Sequence, residues 1–300
     1  MKSEAIRFFS FLILLSIFAS SLASFRSRDK AYTFADGGLS QAMEIKRESS
    51  IGSVFSDYLA FCGSLLNSES KTSAGESIYS HIASRLLPTF HLALFSILFG
   101  SLLGNFLSLY SLYKRNKYLN FFFIRISEII LSTPVFVFAI LLLIVFFYQL
   151  DLFPPGGYEN FQTYYVILPG TALGMRVFAR VYIFQAKEVW AEANSSYVRL
   201  LETRGYPWKH IVFREIFRKV IPLTLIIIIL DFGSLVSGAM IVEEIFFFPG
   251  IGKSLFYSIK AMDSQLLATL LLYAGVVFYI LNRVAYYWQS LLLGENREKI

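Results

Sequence analysis

Two ionisable residues lie inside long apolar runs of this sequence, where a charge is hardest to accommodate. Arg176 lies about halfway along the run 165–186, and Asp231 about halfway along the run 221–242. An unpaired charge at the centre of a bilayer costs about 2.5 to 3.5 kcal/mol, so neither side chain should face lipid. Their similar depth predicts an acid–base pair between neighbouring helices. The alternatives are hydrogen bonds to nearby hydroxyl groups or a protonated Asp231.

The sequence lacks the motifs of hydrolytic and nucleotide-binding enzymes. It contains no His-Glu-x-x-His and no Gly-x-Ser-x-Gly. Residues 252–254 read Gly-Lys-Ser, the end of a phosphate-binding loop, but that motif needs an earlier glycine where Phe247 stands. Glu243 and Glu244 are adjacent and therefore diverge on a helix. We expect no catalytic site and no bound cofactor.

Metal and disulfide chemistry are equally unsupported. Cys62 is the one cysteine, which rules out an internal disulfide, and the three histidines are dispersed, so no metal site is predicted. Two other functions remain open. One is an intramembrane enzyme that uses Asp231 with a second polar residue, and the other is a channel.

Composition identifies the class of protein. Of 300 residues, 56% are hydrophobic and only 16% are charged, with a mean hydropathy of +0.57, which is too apolar for a soluble globule. The formal net charge is +6, but the cations are scattered among apolar runs rather than clustered with stacking aromatics. An all-α membrane protein is therefore predicted, and a nucleic-acid partner is not.

Six apolar runs predict six transmembrane helices. Residues 1–24 form the first, with a pattern that is also typical of a signal peptide, and residues 25–87 form an extracytoplasmic loop. Residues 88–300 contain the other five spans: 88–110, 126–150, 165–186, 221–242 and 265–288. Basic residues cluster at 114–117 and in the segment 187–219, which the positive-inside rule places in the cytoplasm together with both termini.

The charged segment 187–219 separates the fourth and fifth spans and has the pattern of two amphipathic helices. Apolar residues from Trp190 to Leu201 recur at helical spacing. Gly205 then supplies a left-handed residue that ends the first helix, and Pro207 suits the first turn of the second. The segment either binds a partner protein or lies on lipid headgroups.

Four stretches resemble one family. YVRLLETRG (197–205) and REIFRKVIP (214–222) look like the cytoplasmic coupling loop of ABC importer permeases, in the B-type subunits of dipeptide, oligopeptide and nickel uptake systems. FPPGGY (153–158) and EEIFFFPGIGKSL (243–255) resemble two outer segments of the same family. The sequence differs from the family at Leu200 and Leu201, which replace alanines, and at Asp231, where the family commonly has an uncharged polar residue.

The resemblance implies a permease subunit in the bacterial inner membrane. It would associate with a second similar permease, two ATPase subunits that use ATP, and an extracytoplasmic solute-binding protein. Peptides are the implied substrate, with nickel or another small solute as the alternative. The implied contacts with the ATPase are Tyr197, Arg199, Glu202, Gly205, Pro207 and Trp208. The translocation path or gate is expected to comprise Arg176 and Asp231, from their depth in the spans, and Glu243, Pro249, Gly250 and Gly252.

Overall fold

The computed structural model describes residues 2–28, 58–59, 61–63, 71–72, 75–159, 162–237, 239–261 and 263–293. Most of the predicted loop 25–87 and the tail 294–300 lie outside these residues. The helices in chain order are α1 (Lys2–Arg28), α2 (Ile78–Tyr113), α3 (Lys117–Ser132), α4 (Val135–Gln149), α5 (Tyr164–Ala193), α6 (Ser196–Thr203), α7 (Trp208–Val236), α8 (Met240–Ile245), α9 (Ile251–Lys260) and α10 (Ser264–Leu293).

Four of these helices are long and apolar enough to cross a membrane. They are α2, α5, α7 and the Ser264–Trp288 part of α10, and the bent pair of α3 and α4 would make a fifth span. In α1, the apolar stretch Arg7–Leu22 is shorter. This helix packs along α10. The prediction of an all-helical, multi-pass membrane protein is therefore confirmed.

The third predicted span is not one straight helix. The chain turns through 99° between α3 and α4. Pro134 has no N–H to donate, and the residue before a proline is driven to an extended conformation, as Thr133 is, with ψ 131°. Pro134 thus breaks the predicted span 126–150, which makes α3 and α4 two separate helices.

The two ends of the helix bundle differ in what they carry. One end, here called the α6 end, holds α6 and the connection between α2 and α3. The other, the α9 end, holds α8, α9 and the beginnings of α2, α5 and α10.

The helices of the segment 187–219 have different bounds from those that we predicted. Its first part prolongs α5 to Ala193, and its last part runs without a break into α7.

The most extensive helix contact among the described residues joins α2 and α5. Gly100 and Gly104 lie one turn apart on α2, the small-xxx-small spacing that lets two backbones approach. A β-carbon on Gly100 would lie 2.3 Å from the carbonyl oxygen of Gly174 on α5, and one on Gly104 would lie 2.9 Å from a side-chain carbon of Val181. No residue larger than glycine fits at Gly100 unless the helices separate.

Replacing Gly100 should therefore destabilise the bundle. Gly100→Leu is expected to lower the thermal unfolding midpoint of the purified chain in detergent, because overpacking of this kind costs about 1 to 3 kcal/mol and the obstacle is backbone. The matched control is Gly63→Leu, since nothing lies within 4 Å of a β-carbon built there. Equal midpoints for the two variants would contradict the close contact.

Candidate functional site

Helix α6 is held to the bundle by an apolar cluster. Its Val198 is almost fully buried. It packs with side chains that belong to α2, α5 and α7: Leu109, Leu112, Val189, Ile211, Val212, Ile216 and Val220. One face of α6 is thereby fixed, and its other face is left open.

The turn after α6 has the hydrogen bonds of a glycine-terminated helix. Gly205 has φ +81°, the left-handed conformation that the sequence predicts. Its N–H donates to the carbonyl of Glu202 at 3.0 Å, and the N–H of Tyr206 donates to the carbonyl of Leu201 at 3.1 Å. Pro207, with φ −65°, then precedes the first residue of α7.

Trp208 fastens this turn to the connection between α2 and α3. Its indole N–H donates to the carbonyl of Tyr113 at 2.9 Å. The guanidinium of Arg115 stacks on the indole, 3.9 Å from the ring centroid, and also pairs with Glu202. We call Arg115, Glu202 and Trp208 the loop clamp.

Tyr197 lies on the buried side of α6. The ammonium of Lys219 stands 4.7 Å from the centroid of its ring and pairs with Glu192. Burial, together with the carboxylate of Glu192, raises the pKa of the Tyr197 hydroxyl to about 12, so the phenol is neutral.

Asp231 forms an ion pair with Arg180, which joins α7 to α5. Asp231 is only 5% exposed, whereas the Arg180 side chain is 48% exposed. Oδ1 of Asp231 accepts the bond from Nη1 of Arg180. Oδ2 has no partner among the described residues.

Glu243 is the centre of a hydrogen-bonded group at the α9 end. The side chain is fully buried. Oε2 accepts from the N–H of Lys253 at 2.8 Å, and Oε1 accepts from the hydroxyl of Thr89 at 3.3 Å. That hydroxyl in turn accepts from the N–H of Ile251 at 2.8 Å. Burial raises the pKa of the Glu243 carboxyl to about 7, although the bonds from Lys253 and Thr89 act in the opposite direction.

The carboxylate of Glu243 therefore caps the first turn of α9 and ties it to α2. Gly250 and Gly252 in this turn have no room for a side chain, because neighbouring atoms lie too close. A β-carbon on Gly250 would lie 2.3 Å from that carboxylate, and one on Gly252 would lie 2.6 Å from the backbone nitrogen of Met240. Along the chain, Pro249 lies between Glu243 and the first turn of α9, whose backbone the carboxylate contacts.

The segments 153–158 and 243–255 are in direct contact. The N–H of Gly157 donates to the carbonyl of Phe246 at 2.9 Å, and a β-carbon on Gly156 would lie 1.7 Å from that oxygen. Phe246 and Phe248 are fully buried, and the ring of Tyr158 packs against Phe248 with centroids 5.1 Å apart. Two separate glycine- and proline-bearing stretches thus form one compact structure.

Comparison with known proteins identifies the family. Residues 78–294 match the model of the binding-protein-dependent transport system inner membrane component. The chain belongs to this family. It is 28% identical to a dipeptide transport system permease protein of Lactococcus lactis, with 75% of each chain covered. It is 27% identical to a glutathione transport system permease protein of Escherichia coli, over 69% of this chain and 67% of the relative.

Family membership makes the chain a permease subunit, and the structure revises the pairing that we predicted within it. Asp231 pairs with Arg180, not with Arg176. Among the described residues, no ion pair of Arg176 is found. The two arginines lie four residues apart, about 6 Å along a helix, so estimates of depth from span length were wrong by one turn.

Some of the residues that we assigned to the ATPase contact bind within the chain, and others are exposed. Trp208, Glu202 and Tyr197 bind within the chain. Arg199 is exposed, and so are two apolar residues of the same segment that we did not select, Leu200 (50% exposed) and Tyr206 (46%). The available signal was Leu200 itself, a large side chain where the resemblance implies an alanine.

A double-mutant cycle distinguishes the two candidate partners of Asp231 in this permease. Asp231→Asn and Arg180→Gln should each lower stability, and the double variant should lose clearly less than the sum, because removing one partner strands the other. Thermal unfolding of the purified chain measures each loss. The matched control, Arg176→Gln combined with Asp231→Asn, should depart from additivity much less, because Arg176 acts on Asp231 only through its charge and makes no ion pair with it among the described residues. Additivity in the Arg180 cycle would rule out the pair.

Proposed function

We propose that this permease subunit imports peptides, and that it forms half of a translocation path together with a second, similar permease. The observation that carries the proposal is the position of two arginines on α5. In an 18-residue apolar window of α5, 67% of residues are buried, against 28% for the corresponding windows of α7 and α10. Helix α5 is therefore the most enclosed of the long helices.

The remaining open face of α5 is charged. Arg176 is half-buried and Arg180 exposed, one turn apart on this face. Charged side chains at membrane depth face protein or a water-filled cavity rather than lipid. This supports a water-filled path between α5 and a partner permease, in which Arg176 is available to a peptide carboxylate while Arg180 is held by Asp231.

The α6 end is proposed to bind the ATPase subunits. An amphipathic helix that buries one face in its own chain and presents Arg199 and Leu200 on the other suits a groove in a partner protein. Two ATPase subunits, one for each permease, would bind and hydrolyse ATP. The loop clamp fixes α6 to α2, so movement of the docked ATPase would reach the helices directly.

We further propose six spans with both termini in the cytoplasm: α1, α2, the bent pair α3 and α4, α5, α7 and α10. Basic residues at the α6 end, including Lys117 and Lys209, support a cytoplasmic location of that end in the bacterial inner membrane. The α9 end would then face the solute-binding protein. The relatives named for dipeptide and glutathione transport favour a peptide substrate.

Sidedness can be measured with three identical substitutions. In a Cys62→Ser background, Lys117→Cys and Lys209→Cys at the α6 end should be protected from an impermeant thiol reagent added to intact cells. Lys260→Cys at the α9 end should be labelled. All three side chains are exposed, so accessibility differs only through the membrane. Labelling of the first two from outside would reverse the orientation.

Transport itself tests the function through Gly205. The assembled complex with Gly205→Val should lose several-fold in dipeptide uptake and in dipeptide-stimulated ATP hydrolysis, because the left-handed conformation costs a side chain about 1 to 2 kcal/mol. Nothing lies within 4 Å of a β-carbon at this position, so backbone conformation is the cause. Gly205→Asn is the control and should retain most uptake, since asparagine tolerates φ above zero.

Two results would contradict this proposal. Unchanged uptake by Gly205→Val would show that the turn does not transmit the ATPase movement. Uptake of nickel or another small solute, with none of dipeptide, would move the subunit to another substrate class.

A further inference from the structure

A cavity of about 320 Å³ lies at the α9 end, between the beginning of α2, the length of α9 and the beginning of α10. Its volume is within the range of small-molecule sites. Its polar lining includes Thr72, His81, Arg85, Lys253, Tyr257 and Asp263. The cavity is separate from the open face of α5.

Positive charge predominates in this wall. Arg85 comes from α2 and Lys253 from α9. Neither makes an ion pair with a carboxylate in the part of the chain that the structure describes. Nη1 of Arg85 donates to the carbonyl of His81 at 3.1 Å, which holds the guanidinium in place. The ammonium of Lys253 lies 5.8 Å from the centroid of the Tyr257 ring.

One acidic residue lies in the wall, and it has a structural contact. Asp263 precedes α10, and its Oδ1 accepts from the N–H of Leu266 at 3.0 Å. Among the side chains that line the cavity, Arg85 and Lys253 are cations and Asp263 is the one carboxylate, while Glu76, outside the lining, acts on Arg85 through its charge. An anionic group is therefore the complementary ligand.

A buried hydroxyl in the same wall lacks a partner. Thr72 is only 7% exposed, and its Oγ1 makes no hydrogen bond with any described residue. Most buried polar side-chain atoms are hydrogen-bonded, because leaving one unpaired costs about 1 to 3 kcal/mol. The Thr72 hydroxyl is thus a free donor beside two cations, which suits a ligand oxygen atom.

Hydrogen bonds also hold the α2 and α9 parts of the wall in place before any ligand binds. Nε2 of His81 lies 3.2 Å from the hydroxyl of Ser254, which joins α2 to α9. Nδ1 of the same ring lies 2.7 Å from Glu76. Glu243 holds the backbone of Lys253 from behind. A preformed site loses little freedom on binding, which favours affinity for a small solute.

We infer that this cavity binds the carboxylate end of a small peptide, with Arg85 and Lys253 as the charged contacts and Thr72 as a hydroxyl donor. Peptide as the solute rests on the proposed function, whereas carboxylate recognition rests on the cavity. The site would hold the peptide at the α9 end before it reaches Arg176 on α5.

The test is equilibrium binding to the full-length chain in lipid nanodiscs, without ATPase subunits. Radiolabelled dialanine should bind saturably. N-acetyl-dialanine, which keeps the carboxylate, should compete within a few-fold of dialanine. Dialanine amide, which lacks the carboxylate, should compete at least about tenfold less well, the loss typical of one charged contact.

Variants locate the binding in the cavity. Arg85→Gln and Lys253→Gln should each weaken dialanine binding about tenfold or more, and Arg85→Lys should recover part of the loss. Lys260→Gln is the matched control, because it removes an exposed cation from the same helix outside the cavity. It should bind within about twofold of the unaltered chain. Thermal unfolding midpoints establish that each variant is folded.

Several results would overturn the inference. They are the absence of saturable dialanine binding to the folded chain, equal competition by the amide, or an equal loss in Lys260→Gln. The outcome is independent of transport, because the ATPases are absent. Dialanine binding that depends on Arg85 together with no dipeptide uptake by the complex would retain the site and reject the proposed function. Normal dipeptide uptake by the complex, with no dialanine binding to the chain, would retain the proposed function and reject the site.

Discussion

Helices α2 and α5 approach so closely at Gly100 and Gly174 that a single added carbon would collide with backbone. In a membrane, apolar side chains gain little by leaving lipid for one another, so helix association depends on close van der Waals contact and on interhelical hydrogen bonds. Glycine at the crossing makes that contact possible. Helix α5 also packs on α3, α4 and α7, so the α2–α5 contact determines where these helices lie.

Helix α5 connects the three groups of functional residues. Its last turns pack against the apolar cluster that holds α6, through Val189. Its middle carries Arg180, which pairs with Asp231 of α7. Its first turns, with Val166 and Leu168, pack around the buried Phe246 and Phe248. One continuous helix therefore contacts the α6 cluster, the charged pair and the α9 end, which is the connection that the proposed coupling would require.

The sequence pattern was sufficient to predict those features that depend only on residues close together in the chain. Gly205 adopts the left-handed conformation because a helix that ends in this way needs it, and the flanking residues alone indicate the turn. The apolar runs indicated the membrane helices because length and composition are local properties. Pro134 marked the point at which the helix changes direction, but its local signal does not contain an angle, and the 99° break depends on what α3 and α4 pack against.

Features that depend on distant parts of the chain required the structure. The amphipathic pattern indicated a second helix after Pro207, but it could not show that the carbonyl of Tyr113 and the guanidinium of Arg115 contact Trp208. The choice of Arg180 over Arg176 depends on how far α7 is shifted along α5, which close packing of the bundle decides. Likewise, the sequence marked Glu243 as an acid before a proline–glycine turn, and only the fold brings Thr89 and Lys253 to its two oxygens. By itself the sequence determined the class of protein, its helices and its family resemblance, because these follow from local composition and motifs. The tertiary structure decided which charges meet and which surfaces stay open, because those depend on contacts between residues far apart in the chain.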